Sequence, residues 1–477
     1  MHARAQVRRV ALEQLVMRTK SLRLSGLHGH RAADFCARLP EPPDAEAVRS
    51  AVMELTSLGA LSQSEELTDV GRLLAKLPVD ARLGKLILLG LCFGAPDECL
   101  TMAAALASRS PFMSPMERRE QADEAKRSFA MGLQSDHLGV LLAYHKFNRL
   151  DQSKFDFARD HFLSIKTLQA IGQLKRQLLE AVSQAGLVAH GLRASYVESL
   201  GRRSGDDGVR AALNQHAMAP PELLYAMLAA ALFPQVAYLH APVTKKGPCG
   251  PDMVRLHIRE PDGTALEPQV AAIHPSSLNC KLHGGEWKSC YVAYHECVRT
   301  TKIYVRDCTP APPLALLLLC GGRVHEEARL DMRGASKGGL TVDGWLRLHV
   351  RPAMVPMLLE FRRRLAGVLK RMVQRADESS ARDIARYRDG GAGEAAAAET
   401  LPLLEAFLEL LRQAPEPEVP PKKPSEGQGK SGKRGGGKAK AKAKGKSRKG
   451  QRGAGGFPGF GVGPGDDGGF SGSMGDW

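Results

Sequence analysis

LTDVGRLLAKLPVDARLGKLIL, residues 67–88, spells two helices pinned at a proline. Val70, Leu73, Leu74 and Leu77 fall at i, i+3, i+4 and i+7, the spacing of one helical face. Thr68 stands where an N-cap belongs, and Pro78 cannot continue the helical hydrogen-bond ladder. Asp80 is placed to cap a second helix that carries Leu83, Leu86 and Ile87 inward and Arg82 outward.

Upstream, Leu12, Leu15, Val16 and Leu22 share one helical face, and Val48, Val52, Leu55 and Leu58 share another behind Asp44 as cap. Gly59 closes that second helix, and ALSQSEELT is short enough for a small β-wing. Helix, helix, wing and helix predict a winged-helix unit over residues 1–84.

Downstream, residues 85–232 are helical in pattern almost throughout. DECLTMAAALASRSPF, SDHLGVLLAYHKFNRL, HFLSIKTLQAIGQLKRQLLEAVSQAGL and APPELLYAMLAAALF carry the helices, with GLRASYVESLGRRSGDDG as a loop between two of them. After Pro234 the texture changes to short runs rich in Val, Ile and Tyr, broken by Gly and Pro. QVAYLHAPV, VRLHIRE, VAAIHPSSL, SCYVAYHECV, KIYVRDCT and LALLLLCGG predict a small barrel of the OB type over 233–352, with VDGWLRLHV to close it. Helices follow over 353–414, led by MVPMLLEFRRRLAGVLKRMVQRADE. From 415 to 477, Gly, Lys and Pro dominate and large aliphatic residues vanish, which predicts a disordered basic tail. The fold class is therefore multidomain and mainly α, with a β-barrel toward the C-terminus.

The net charge of +16 points to a polyanionic partner. Between Pro421 and Trp477, thirteen Lys and Arg stand against four Asp and Glu, so the tail supplies more than half of that charge. Its cations neutralise phosphates, with Lys433, Arg434, Lys446, Arg448 and Arg452 as candidate RNA contacts, and Phe457, Phe460 and Phe470 offer rings to bases. A solubilising or targeting tail has the same composition. No apolar run approaches a membrane span, and the N-terminus lacks the apolar core of a secretory signal, so an intracellular protein, nuclear or cytoplasmic, is expected. The nine cysteines are then reduced thiols. Cys280, His283, Cys290, His295 and Cys297 lie close in sequence, but no CxxC pair is present and no metal site is expected.

Enzymatic motifs are missing. The two GKS tripeptides at 429–431 and 445–447 have Pro424 and Lys440 where a phosphate-binding loop needs its first glycine. GASKG at 334–338 fits GxSxG but lies in a polar loop, and HEEAR and HECVR lack the second histidine of a zinc protease. No catalytic residue is assigned.

Several phrases, in collinear order from about residue 8 to about residue 370, resemble the C-terminal half of a DEAH-box (RHA-type) ATP-dependent RNA helicase. VALEQLVMRTKSL is similar to the segment after that family's second RecA-like domain, and ELTDVGRLLAKLPVDARLGKLIL to its junction between winged helix and ratchet. CLTMAAALASRSPF with SDHLGVLLAY resembles the ratchet core, and VAAIHPSSL with YVAYHECVRTTKIYVRDCT resembles the OB-fold. The resemblance implies winged helix, helical ratchet and OB-fold without the RecA-like motor, whose P-loop and DEAH box have no counterpart in this chain.

The resemblance further implies that these domains guide single-stranded or structured RNA. ATP and magnesium then belong only to a RecA-like core acting in cis or in trans, no cofactor belongs to this chain, and no membrane is involved. It implies RNA contacts at Ser108 and Arg109 in the ratchet, and at His274, Ser276, Ser277, Arg299, Thr300, Thr301 and Lys302 in the OB region. Ser276 and Ser277 after Pro275 also suit a plain turn, and Asp136 with His137 suits a helix cap with a buried histidine. A chain of this kind is expected to be part of a longer helicase, because residues 10–22 already resemble that family's mid-body. The alternative is a stand-alone, non-catalytic RNA-binding scaffold. A metal-dependent enzyme built on the Cys280–Cys297 region is a third, remote option.

Overall fold

The computed structural model describes residues 12–21, 31–130, 132–149, 153–185, 187, 193–214, 218–244, 247–258, 269–330, 336–378 and 394–413. Helices α1 (Leu12–Ser21), α2 (Ala32–Cys36), α3 (Ala45–Ser57) and α4 (Asp69–Ala75) form the first unit, and a single antiparallel bridge between Leu61 and Leu67 stands where the wing was expected. Thr68 caps α4, its Oγ1 accepting from Gly71 N at 3.0 Å while donating to Gly59 O at 2.6 Å. Gly71 cannot be replaced freely: a Cβ there would lie 2.0 Å from the Ala60 carbonyl oxygen. Asp44 occupies the N-cap position of α3 without a side-chain capping bond.

Asp80 caps α5 (Ala81–Phe93), accepting from Arg82 N at 2.8 Å. Arg82 does not point outward as expected: its Nε lies 3.1 Å from Glu54 Oε1 and its side chain is only 15% exposed. The long arginine reaches back along the surface to a carboxylate on α3, and so ties the first unit to the next. That next unit continues with α6 (Pro96–Leu106), α7 (Arg119–Ala130), α8 (Asp136–Phe147), α9 (Lys154–Asp160), α10 (Ile165–Gln184), α11 (Ala194–Asn214) and α12 (Pro221–Leu232).

The stretch expected as a loop before residue 209 is instead most of α11, kinked at Gly205 with φ of 65°. Val197, Val209 and Leu213 are buried at helical spacing, and this outweighs the Gly, Ser and Asp content that suggested a loop. Helix α12 is buried on all sides, from Leu223 through Leu232, because it lies between α5, the barrel and a later helix.

The barrel strands are β1 (Val236–His240), β4 (Arg255–Ile258), β5 (Gln269–Ile273), β6 (Tyr291–Arg299) and β7 (Ile303–Pro310), with β2 (Val243–Thr244) and β3 (Gly247–Pro248) as a separate hairpin. The order β1-β4-β5-β7-β6 closes, through a parallel β5–β7 pair, around Leu239, Leu256, Val292 and Val305. Two expectations fail here. The LALLLL run is a helix, α13 (Pro313–Leu319), because an all-apolar run carries no period and proline at its first turn starts a helix. VDGWLRLHV does not close the barrel: β8 (Val324–Leu330), β9 (Ser336–Val342) and β10 (Leu346–His349) form their own antiparallel sheet. That sheet is fastened to the barrel by the Tyr291 hydroxyl, which donates to Arg347 O.

Helices α14 (Val355–Glu378) and α15 (Glu394–Arg412) complete the described chain. Val368 and Met372 of α14 join the core that holds Leu73 and Leu74 of α4. Arg362 donates to the carbonyls of Leu317, Cys320 and Gly321, satisfying the open C-terminal end of α13. Phe407 of α15 packs on Phe93 of α5 with ring centroids 5.4 Å apart. Among the described residues no helix is long and apolar enough to cross a membrane. Lys433, Arg434, Lys446, Arg448, Arg452 and the three tail phenylalanines lie outside the described residues.

Candidate nucleic-acid interface

The helical bundle meets the barrel at the N-terminus of α8. Ser135 is the N-cap, its Oγ accepting from Leu138 N at 3.1 Å and sharing a 2.6 Å hydrogen bond with Thr309 Oγ1 on β7. Asp136, expected as part of that cap, reaches into the barrel instead. It accepts from Ser277 Oγ at 2.6 Å, Leu278 N at 2.7 Å and Cys308 N at 2.9 Å. His137 is buried and hydrogen-bonded as expected, its Nδ1 lying 2.5 Å from Thr309 Oγ1. One turn of α8 thus receives groups from two separate stretches of the barrel, and all three of its side chains are buried.

The expected RNA-contact residues fall into three places. Ser108 and Arg109 follow α6 and line a cavity of about 270 Å³ between bundle and barrel, whose lining also includes His137, His295, Glu296, Arg306 and Asp307. Ser108 donates to Ala104 O at 2.8 Å, and Arg109 is exposed. The His274–Ser277 loop follows β5. His274 N donates to Val305 O at 2.9 Å, and its Nδ1 accepts from Ser276 N at 3.1 Å and lies 2.7 Å from Ser276 Oγ. Ser276 is exposed there, whereas Ser277 is buried with its hydroxyl engaged by Asp136.

Arg299, Thr300, Thr301 and Lys302 form the turn of the β6–β7 hairpin, all four exposed. Arg299 donates to Gln269 Oε1 at 3.0 Å, and Thr300 N donates to Lys302 O at 3.0 Å. From Arg306 the strand runs three residues to Ile303, roughly 10 Å, before the turn begins. The hairpin tip and the cavity are thus joined by the first residues of β7.

Two cations that the sequence did not single out lie nearby, one beside Asp136 and one in the cavity lining. Lys126 of α7 donates to Ser276 O at 2.5 Å, lies 3.8 Å from Asp136 Oδ1 and covers the Phe112 ring at 5.2 Å. Arg306 sits 3.4 Å from Glu296 across the hairpin. Neither carries a local signal, since Lys126 reads as one charge among many on α7 and Arg306 as one residue of an alternating strand. Burial, with Arg306 and Lys126 beside it, lowers the pKa of His274 and favours the neutral ring. Burial pushes His137 down to about 3, aided by His295, which burial and Arg82 also lower. Asp307 moves the other way, raised to about 6 by burial and the nearby Asp136 carboxylate.

No metal centre forms from Cys280, His283, Cys290, His295 and Cys297, which spread over a turn, a loop and β6. Among the described residues the one group with metal-binding geometry is Asp97, His145 and Asp206 in the bundle core. Cations already serve it: Lys175 Nζ lies 2.6 Å from Asp97 and Arg210 Nη1 3.1 Å from His145 Nδ1. Nor do the described residues fit ATP: the passages β7–α13 and β10–α14 contain no glycine to cradle a phosphate, and both GKS tripeptides lie outside the described residues.

Comparison with known proteins places the same three units in the same order. The winged-helix part of the helicase-associated domain matches residues 51–79, its ratchet-like part residues 80–140, and the oligonucleotide/oligosaccharide-binding (OB) fold residues 224–323. The chain is 36% identical over 362 residues to the putative ATP-dependent RNA helicase DHX57 of Mus musculus, an alignment covering 74% of this chain and 25% of that protein. Over 373 residues it is 31% identical to the ATP-dependent DNA/RNA helicase DHX36 of Bos taurus, covering 77% of this chain and 33% of that one. Over 412 residues it is 31% identical to the DExH-box ATP-dependent RNA helicase DExH1 of Arabidopsis thaliana, covering 85% of this chain and 35% of that one. The chain therefore spans a quarter to about a third of the length of these relatives, aligned over their C-terminal part.

Proposed function

We propose, for a chain that carries the helicase-associated winged-helix, ratchet-like and OB-fold domains and so belongs to the DEAH-box helicases, that it binds and guides single-stranded RNA while a RecA-like motor drives unwinding or remodelling. The motor, acting in cis or in trans, would handle ATP and magnesium. The winged helix (1–84) and the terminal helices (353–414) brace the ratchet (85–232) and the OB-fold (233–352), between which the strand runs. The observation that carries this reading is that Ser108 and Arg109 line one cavity with Arg306 of β7, the strand that leaves the exposed Thr300–Lys302 turn, while the loop bearing Ser276 is held to that strand through His274 N and Val305 O.

Hydroxyls and cations on rigid elements suit a backbone-tracking path, since phosphate contacts fix register without reading sequence. The tail's cations would add sequence-independent attraction. The test is the salt dependence of single-stranded RNA binding by the full chain, beside an Arg109→Ala/Lys302→Ala variant. Loss of two phosphate contacts should lower the slope of log K against log salt by about 1.4, at roughly 0.7 per contact. An unchanged slope would move the path off this edge and leave the tail as the binding element.

A further inference from the structure

The cavity at the bundle–barrel seam has a chemistry of its own. Its walls include Met102, Leu106, Pro111 and Val140. His137 Nε2, His295 Nδ1 and Arg306 Nε, all from lining residues, are buried polar atoms without a hydrogen-bond partner. His137 is only 4% exposed, and its other ring nitrogen is fixed on Thr309, so Nε2 is the free edge of a held ring.

Charges of both signs surround the cavity. Arg109 and Arg306 line it with Glu296, Asp307 and Asp136; Asp136 accepts three donors, with Lys126 3.8 Å away on α7, and Arg82 on α5 acts on His295. An anion gains little in such a place, and a cation gains no more. Unpaired ring and guanidinium nitrogens beside apolar walls suit a flat, neutral, hydrogen-bonding group. At about 270 Å³ the space lies just under the roughly 300–1,000 Å³ of pockets for drug-sized ligands, the scale of one ring system rather than a chain.

We propose that this cavity receives a single extruded nucleobase of the guided RNA strand, making the seam a base-reading stop on an otherwise sequence-blind path. The inference rests on the RNA-guiding reading above. The sugar and phosphates of the extruded nucleotide stay at the mouth beside Arg109 and Ser110, while the base edge meets His137, His295 and Arg306. A site that hydrogen-bonds one base edge rejects bases that leave its polar atoms unpaired.

The test is a titration of the full chain with four single-stranded RNA homopolymers of equal length, alone and in Ala105→Phe, which fills the cavity from its wall. The wild-type affinities should spread by tenfold or more and collapse to within about twofold in Ala105→Phe. A strand carrying one 2-aminopurine among the preferred bases should brighten on binding the wild-type chain, a readout that needs no variant. Wild-type affinities within twofold of one another, or a spread that survives Ala105→Phe in a variant of unchanged melting temperature, would overturn the proposal. Lys302→Ala separates the two claims: it should weaken all four strands alike. If it does so while the wild-type spread is absent, the base pocket fails and the guiding path stands. If no strand binds, both fail.

Discussion

Two buried aspartates near the starts of neighbouring helices do opposite work. Asp97, in the first turn of α6, answers side chains within the bundle: Lys175 at 2.6 Å and His145 at 3.5 Å, with Asp206 and Arg210 beyond. Burial works against its carboxylate, yet Lys175 and His145 more than offset this and hold its pKa far below the usual range. Asp136, at the start of α8, answers a hydroxyl and two main-chain N–H groups of the barrel. The first braces four helices of one unit and the second joins two units. An ion network can be exchanged residue by residue, but a main-chain donor survives every substitution except proline.

That contrast can be broken most sharply at the seam. Asp136→Ala leaves Ser277 Oγ, Leu278 N and Cys308 N without their acceptor and should cost about 4 kcal/mol, given 1–3 kcal/mol for each buried group left unmade. Chemical denaturation should show this loss, and proteolysis should show cleavage between bundle and barrel ahead of global unfolding. A loss below about 1 kcal/mol would mean that the seam is held elsewhere. Lys175→Met should cost somewhat less, about 3 kcal/mol, by leaving Asp97 buried and uncompensated. Adding Asp97→Leu to Lys175→Met should recover most of that stability, because a buried pair is often replaceable by apolar residues. No second substitution should rescue Asp136→Ala in this way.

The smallest effect concerns pH. The folded Asp307 carboxyl titrates near 6 rather than near 3.8, so the folded state holds a proton that the unfolded state has released, and stability is lost as pH rises through that window. His137 runs the other way: its folded value near 3 lies below the ordinary 6.5, so its contribution is present above 6.5 and is lost as pH falls toward 3. Asp307→Asn should therefore raise the melting temperature by about 2 °C at pH 7.5. It should also expose a steady decline below pH 6.5 that Asp307 partly masks in the parent. Asn also tolerates the positive φ of 52° at this position. An unchanged pH profile would show that water reaches Asp307 freely.

Local grammar was readable in the sequence, and partnership was not. Thr68 and Asp80 cap helices through bonds two or three residues long, and Pro78 stands between those helices as its spacing predicts. The barrel strands show their alternation in the same way. VDGWLRLHV was correctly a strand and wrongly assigned to the barrel, because alternation names a face without naming the neighbour. Asp136 was passed over as part of a cap because its partners lie 141 to 172 residues away. Ser277 followed the same error in reverse, its exposed-looking turn being drawn inward by that carboxylate. Arg82 looked outward on a helical wheel that contained no Glu54.

The β6–β7 hairpin pairs from Arg299 opposite Ile303 at its tip to Val292 opposite Pro310 at its base, with one break where His295 and Asp307 would face each other. Its base carries Thr309, which touches both Ser135 and His137, while its tip stands in solvent. Mechanically this is a lever with its short end lodged on the first turn of α8. A load placed on the tip would be carried along β7 to that turn through Thr309.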